Sequence, residues 1–403
     1  MQSGALGGIK VLDCTHYITG PYCTKLLAEL GAEVIKVENP RGGDQARRVG
    51  PFFKGKDIPI YERSGLFFYL NTNKKGITLD LKQRTGKEIF KRLTKETDIV
   101  VENFSPRVMP SLGLSYDTFK QINPSLVMTS ISNFGQSGPY RDWKSSELVS
   151  LSLGGLSYSS YGAPGRSLVK PYGSMVQHMT GVFAAVATMI ALYHQRRTGV
   201  GQHIDVSIMD YAASIEEHSI PMAAYQGRIR ERSSRHPTAH PNIVFPCKDG
   251  YMHVAVTGAR QWQTLCALAQ FPSGWSTDSS FLNGEYRLEH ADEIDAILAP
   301  WLMLHTKEEL QKMSFDLMLA SAPIKTVAEV IGDKQHKSRG FFIEAEHPHA
   351  GKVTIPGMPF KMGGHQCMVA RAPLLGESNE EVYCQHLGYS KGDLVRLRQQ
   401  GVI

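Results

Sequence analysis

Over the first two hundred residues, short uninterrupted apolar runs alternate with stretches whose apolar positions recur every three or four residues. The runs at 9–13, 33–38, 77–81, 98–101 and 126–130 read as buried strands. Residues 21–30 have helical spacing and are stopped by Gly31, and a helix fits between each later pair of strands. Strands alternating with helices of about ten to fifteen residues predict a mostly parallel sheet covered on both faces, an α/β domain of the Rossmann-like kind. Residues 180–196, long, apolar and rich in alanine, predict a buried helix. Residues 203–208 alternate as a strand, and 209–225 are helical again. The stretch 227–241 is rich in Arg, Ser and His, holds two prolines, and reads as an exposed connection into a second domain. There CKDGYMHVAV at 247–256 predicts two strands about a Lys-Asp-Gly turn, followed by helices to about residue 320. β-like pieces at 341–345 and 351–355 and a final helix complete the pattern.

Composition narrows the classes of function. A chain of 403 residues, 42% hydrophobic, can bury a large core and has a prior of two or three domains. The net charge of +6 is spread along the chain, which gives little support to nucleic-acid binding but suits a ligand with several phosphates. No apolar run reaches membrane-spanning length, since the longest patch, near 182–192, contains a threonine and several alanines. The first residues lack the charged-then-apolar pattern of a secretory signal. Cys14, Cys23, Cys247, Cys266, Cys367 and Cys384 form no CxxC pair, which argues against a zinc site or disulfide framework and fits a reducing cytoplasm. Cys14 and Cys23 lack a His-containing motif and read as small packing residues. The first strand is followed by HYITGPYC, not GxGxxG, which disfavours NAD and FAD. TGVGQ at 198–202 follows a helix and reads as its stop.

Several blocks then carry a specific resemblance. VLDCTHYITGPYCTKLLAELGAEVIKVENPRGGDQAR, LNTNKKGITLDLK, DIVVENFSP, NPSLVMTSISNFGQSGPYRDWK and TGVGQHIDVSIMDY resemble the class III CoA-transferases, of the formyl-CoA and crotonobetainyl-CoA transferase type. CKDGY, RGFF, PGMPFK and RAPLLGE extend the match to the end of the chain. The resemblance implies a large Rossmann-like domain from 1–215 and 325–403 and a smaller α+β domain at 226–324. Linkers would fall at 216–225 and near 325, with two chains threaded as interlocked rings. It also implies coenzyme A as a substrate thioester, with no covalently bound cofactor and no metal.

The residues agree with a CoA site. Asn73, Lys74 and Lys75 place an amide and two cations in a predicted turn suited to phosphate or ribose. Asn103 and Phe104 follow the strand at 98–101, and His16 and Tyr17 follow the first strand, where ligands of open α/β sheets bind. Lys144 matches a basic family position near the thioester. Plainer readings stand beside these: solvated turn charges for Lys74 and Lys75, core aromatics for Tyr17 and Phe104, a structural histidine at His16. The family resemblance favours ligand contact.

The pattern breaks at the nucleophile. The resembling enzymes open the long apolar helix with an aspartate four residues before a glycine, and its carboxylate attacks the thioester to give a mixed anhydride. Here the segment is GSMVQHMTG, so counting back from Gly181 puts Gln177 in that place. A carboxamide is uncharged and a poor nucleophile. His178 would turn to another face of the helix. The glycine-rich loop of the family is replaced by RSSRHPTAHPNIVF, a CoA-reaching arginine by Ser111, and an aromatic near the thioester by Ser146. Glu147 is a candidate replacement carboxylate, or else a helix N-terminal residue favoured by the dipole.

These departures lead to a reading as the non-catalytic subunit of a heteromeric CoA-transferase. A paralogous subunit would carry the catalytic aspartate, and the acceptor would be an aryl-succinate by analogy with benzylsuccinate-type enzymes. The alternatives are an active homodimeric transferase with another nucleophile or a deamidated Gln177, an acyl-CoA racemase or isomerase, and a CoA-binding scaffold. The racemase lacks its histidine base, since the corresponding place reads Ser146-Glu147.

Overall fold

The computed structural model describes residues 4–55, 57–159, 165–167, 169–232, 235, 239–363 and 369–403. They form two compact units, one of Met1–Ser157, Lys170–Tyr225 and Ser338–Ile403, the other of Tyr158–Val169 and Gln226–Lys337.

The first unit is built on a six-stranded parallel sheet of β1 (Lys10–Cys14), β2 (Glu33–Glu38), β3 (Lys74–Thr78), β4 (Ile99–Glu102), β5 (Val127–Ser132) and β6 (His203–Ser207). Its strand order is β3-β2-β1-β4-β5-β6. The apolar runs become strands because β4 and β5 are buried throughout, as inner strands of a sheet covered on both faces must be. On one face Leu12, Val100 and Met128 pack with Phe90, Phe119 and Tyr383. On the other lie the helix Thr19–Glu29 and the long helix Met175–Thr198. Close approach there requires Gly181, where a Cβ would sit 2.7 Å from the Thr19 carbonyl oxygen. Thr188 and Thr129 share a hydroxyl hydrogen bond of 2.7 Å that ties the long helix to β5.

The outer edge of β3 is closed by the last part of the chain. Ser378 N–H donates to the Gly76 carbonyl at 2.9 Å, and Asn379 Oδ1 accepts from Thr78 N–H at 2.9 Å. Tyr383 hydroxyl reaches the Thr78 carbonyl at 2.7 Å. A side chain at Gly76 would bring its Cβ to 2.9 Å from Pro373, so the position demands glycine.

The second unit holds a three-stranded antiparallel sheet of β7 (Asn242–Cys247), β8 (Gly250–Ala255) and β9 (Ala322–Pro323) with helices around it. Trp262, Phe281, Ile294 and Leu298 centre its core. Arg287, fully buried, is satisfied by the carbonyls of His240, Phe281 and Val256 at 2.6, 2.7 and 3.2 Å. An antiparallel hairpin of β10 (Phe342–His347) and β11 (Gly351–Pro356) belongs to the first unit.

The structure corrects four expectations. The third strand begins at Lys74, three residues before 77, so Lys74 and Lys75 are strand residues and not a turn. Residues 209–225 form two helices, Ile208–Ser214 and Ser219–Gln226. The long helix is not buried all round: Met179, Phe183, Val186, Ile190 and Tyr193 form an exposed apolar stripe at steps of four and three. By length and composition that 24-residue helix could also cross a membrane, with 44% of its most apolar window buried. Small residues such as Gly181, Ala184, Thr188 and Ala191 form its buried face.

Candidate functional site

A cavity of about 630 Å³ opens at the carboxyl ends of β1, β4 and β5, where the strand order reverses direction between β1 and β4. The loop after β1 contributes His16 and Tyr17, and that after β4 contributes Asn103 and Phe104. β5 ends in Ser132, and the first turn of the long helix contributes Gln177. A second cavity, of about 520 Å³, shares His16 and Phe104 and continues along the ends of β1, β2 and β3 past Ser111.

The loop after β1 is fastened at three successive residues. Asp13 accepts from Thr15 N–H at 2.9 Å, and the buried Lys36 Nζ donates to the Thr15 carbonyl at 2.9 Å. Asn103 clasps His16 through both backbone groups, accepting from its N–H and donating to its carbonyl, each at 2.8 Å. Tyr17, at φ +71, gives its N–H to Asp44 at 2.9 Å, and Asp44 pairs with Lys36 at 2.8 Å. The His16 ring lies 5.3 Å from that of Phe104. Burial pushes the His16 pKa down, with Asp44 opposing and Lys36 reinforcing, so the imidazole is neutral at pH 7.

Glu147 stands at the start of the helix Glu147–Leu153, which fits its reading as a residue favoured by the dipole. It also does something not visible locally. Its Oε1 accepts from Val176 N–H at 2.8 Å and its Oε2 from Gln177 N–H at 3.3 Å, capping the long helix, whose own N-cap Ser174 makes no side-chain bond. Both oxygens of the cavity's carboxylate are therefore committed to amide protons. Replacing Glu147 with alanine is expected to cost about 2 kcal/mol of stability through the lost charged cap. Glu147→Gln should recover part of it, and urea denaturation would measure both.

Other residues singled out in the sequence fall elsewhere. Asn73, at φ +62, bonds Ala370 through its backbone N–H at 3.2 Å and through its side chain. Lys74 is buried and paired with Asp13 at 2.9 Å. Lys75 pairs with Glu33 and Glu381 at 2.9 and 2.8 Å. The three line neither cavity, and the two lysines' charges serve as ion pairs and not as solvated turn groups. Lys144 is exposed beside the cavity-lining Trp143 and Ser145 without lining the cavity itself. His178 turns to Tyr22, ring centroids 5.1 Å apart, and its Nδ1 meets the Ser174 carbonyl at 2.8 Å. Burial drives the Cys14 thiol far up and the Cys23 thiol to about 12, leaving neither as a thiolate at neutral pH. Cys367 and part of the segment RSSRHPTAHPNIVF lie outside the described residues. Among the described residues no cluster of His, Cys, Asp and Glu could hold a metal ion.

Sequence reasoning missed Lys36 and Asp44, which fix the His16 loop, and Ser132 and Lys170, which line the cavity. Lys36 sat inside an otherwise clear strand, and a charge amid the apolar residues of 34–37 was the signal available.

A model of CoA-transferase family III matches residues 6–379. This chain belongs to CoA-transferase family III. It is 32% identical to a succinyl-CoA–D-citramalate CoA-transferase of Chloroflexus aurantiacus over 99% of this chain and 98% of the relative. It is also 32% identical to a formyl-CoA:oxalate CoA-transferase of Afipia carboxidovorans, over 99% and 97%. A CaiB/BaiF family protein from Brucella suis has the same fold, with a TM-score of 0.84 and 28% identity over 95% of this chain and all of that one. A family III CoA-transferase takes an acyl-CoA and a carboxylic acid as substrates and needs no separate cofactor.

Proposed function

We propose that this chain is the non-catalytic subunit of a heteromeric family III CoA-transferase that moves CoA from a donor such as succinyl-CoA to a carboxylic acid of aryl-succinate type. The observation that carries this reading is Gln177. It lines the cavity from the first turn of the long helix, where the resembling enzymes keep the aspartate that attacks the thioester. A carboxamide cannot form the mixed anhydride, and Glu147, the carboxylate beside it, has both oxygens held by backbone N–H groups. The catalytic aspartate then comes from a paralogous partner, in the cytoplasm. The exposed stripe of Met179, Phe183, Val186, Ile190 and Tyr193 supports association with a second chain, since an apolar seam of this length asks for a covering. In this reading the chain keeps a CoA-facing wall made by His16, Tyr17, Asn103 and Phe104, with Asn73, Lys75 and Lys144 outside it.

The test is co-expression with a paralogue that keeps the aspartate and an assay of CoA transfer from succinyl-CoA to a panel of aryl-succinates. The mixed complex should be active and each chain alone inactive. Activity should survive Gln177→Ala in this chain and vanish when the partner's aspartate becomes asparagine. Transfer by this chain alone would defeat the reading.

A further inference from the structure

We propose that the cavity beside Gln177 binds the free terminal carboxylate of a dicarboxylic acyl-CoA as an unreacted ligand, with Lys170 as its counter-charge and Ser132 as a hydroxyl donor. This rests on the preceding reading, in that a site without a nucleophile holds its acyl group intact.

The charges around the cavity lead to it. Glu147 is the lining carboxylate, and its oxygens are spent on Val176 and Gln177 N–H groups. Gln177 is neutral where an aspartate would repel a second carboxylate. Arg141 also lines the cavity, but its guanidinium is paired at 3.0 Å with Asp142, which Arg107 holds as well at 2.6 Å. Lys170 differs: among the described residues its Nζ donates to the backbone carbonyls of Pro171 and Gly173, at 3.1 and 2.8 Å, and to no carboxylate. Carbonyls position an ammonium without cancelling its charge, so Lys170 brings to the cavity a cation that no ion pair among the described residues engages.

Ser132 supplies an independent observation. It is the last residue of β5, only 6% exposed, and its hydroxyl has no hydrogen-bond partner among the described residues although the residue lines the same cavity. An unpaired buried hydroxyl costs roughly 1–3 kcal/mol, which an accepting ligand recovers. A cation on the cavity wall and, at a residue that lines the same wall, an orphaned donor suit a carboxylate carried by a ligand large enough to fill about 630 Å³. The amide of Gln177 adds a further donor along the same wall.

The experiment compares succinyl-CoA with butyryl-CoA, which share an acyl length and differ in the terminal carboxylate, with CoA alone as a third ligand. Titration calorimetry on this chain should show succinyl-CoA binding about tenfold or more tighter than butyryl-CoA, the range of one hydrogen bond to a charged group. Lys170→Met should bring the ratio to about one while leaving butyryl-CoA unchanged, and Lys170→Arg should keep most of it. Ser132→Ala should lower succinyl-CoA binding and spare butyryl-CoA. Equal binding of the two thioesters by the unaltered chain would overturn the proposal. So would an equal loss for succinyl-CoA, butyryl-CoA and CoA in Lys170→Met, because Lys170 would then serve the phosphates. Intact-mass analysis of the same samples separates this from the subunit reading, since a covalent acyl adduct would defeat that reading whatever the ratio.

Discussion

Replacing Asp13 with alanine is expected to lower the unfolding free energy of the sheet-bearing unit by about 3–5 kcal/mol, read as a fall in the urea midpoint at unchanged slope. Asp13 is fully buried on β1 and accepts from Thr15 N–H, the Thr24 hydroxyl and Lys74 Nζ at 2.9, 2.7 and 2.9 Å. Its removal leaves the ammonium of Lys74 buried beside that of Lys36, one 5% and the other 0% exposed. Breaking one side of a buried pair costs far more than the pair contributes, so Asp13→Ala with Lys74→Met should cost less than the sum of the single changes. The pH dependence has a definite sign. Burial alone would raise the Asp13 pKa, but Lys36, Lys74 and the hydroxyls of Thr15 and Thr24 hold it well below the usual carboxylate range. A depressed carboxylate contributes stability above its unfolded pKa, 3.8, and loses it as pH falls below that value. The unaltered protein should therefore lose this contribution in acid, and Asp13→Ala should show no such loss.

Glu102→Gln is expected to do the opposite and stabilise the protein. Burial raises the Glu102 pKa from 4.5 to about 7, against the opposing hydrogen bonds from Ser130 and Phe104 N–H and with a push from Asp205. A carboxyl raised in the folded state contributes fully below 4.5 and loses that contribution as pH climbs through 7. The advantage of the Glu102→Gln variant over the unaltered protein should thus be small at pH 4, grow between 4.5 and 7, and reach on the order of 3 kcal/mol at pH 8. Glutamine keeps an acceptor for Phe104 N–H, which Glu102 holds at 2.8 Å, so the cavity wall should stay in place. Urea titrations at several pH values would decide the matter, and a difference independent of pH would contradict it.

What could be read from the sequence followed from how local each signal was. The sheet was legible because its inner strands are buried on both faces and so are written as apolar runs, while the edge strand His203–Ser207 alternates; the strand at 33–38 was placed to the residue. The third strand was misplaced because Lys74 and Lys75 looked like turn charges, whereas β3 carries them against Asp13, Glu33 and Glu381. The start of the long helix was put at 180 because its cap is Glu147, 29 positions before Val176 and silent in any local window. The break after Ser214 did have a local mark, Pro221, which fits only the first turn of the helix Ser219–Gln226. In the cavity, the loops after β1 and β4 were foreseen through His16, Tyr17, Asn103 and Phe104. Lys170 and Ser132 were not, since a lysine in a connection and a serine at a strand end announce nothing until the fold brings them to one wall.

The closing of the β3 edge by Ser378 and Asn379 also sets a clock. Thr78 and Asn379 lie 301 positions apart, so a chain emerging from the ribosome exposes the unpaired groups of β3 until nearly all of it has been made. At roughly 5–20 residues per second the wait is about 15–60 s, far longer than a sheet edge needs to find a wrong neighbour. Newly made chains should therefore need holding by chaperones, and weakening the latch, for instance with Asn379→Ala, should show first as a lower yield of folded protein during synthesis.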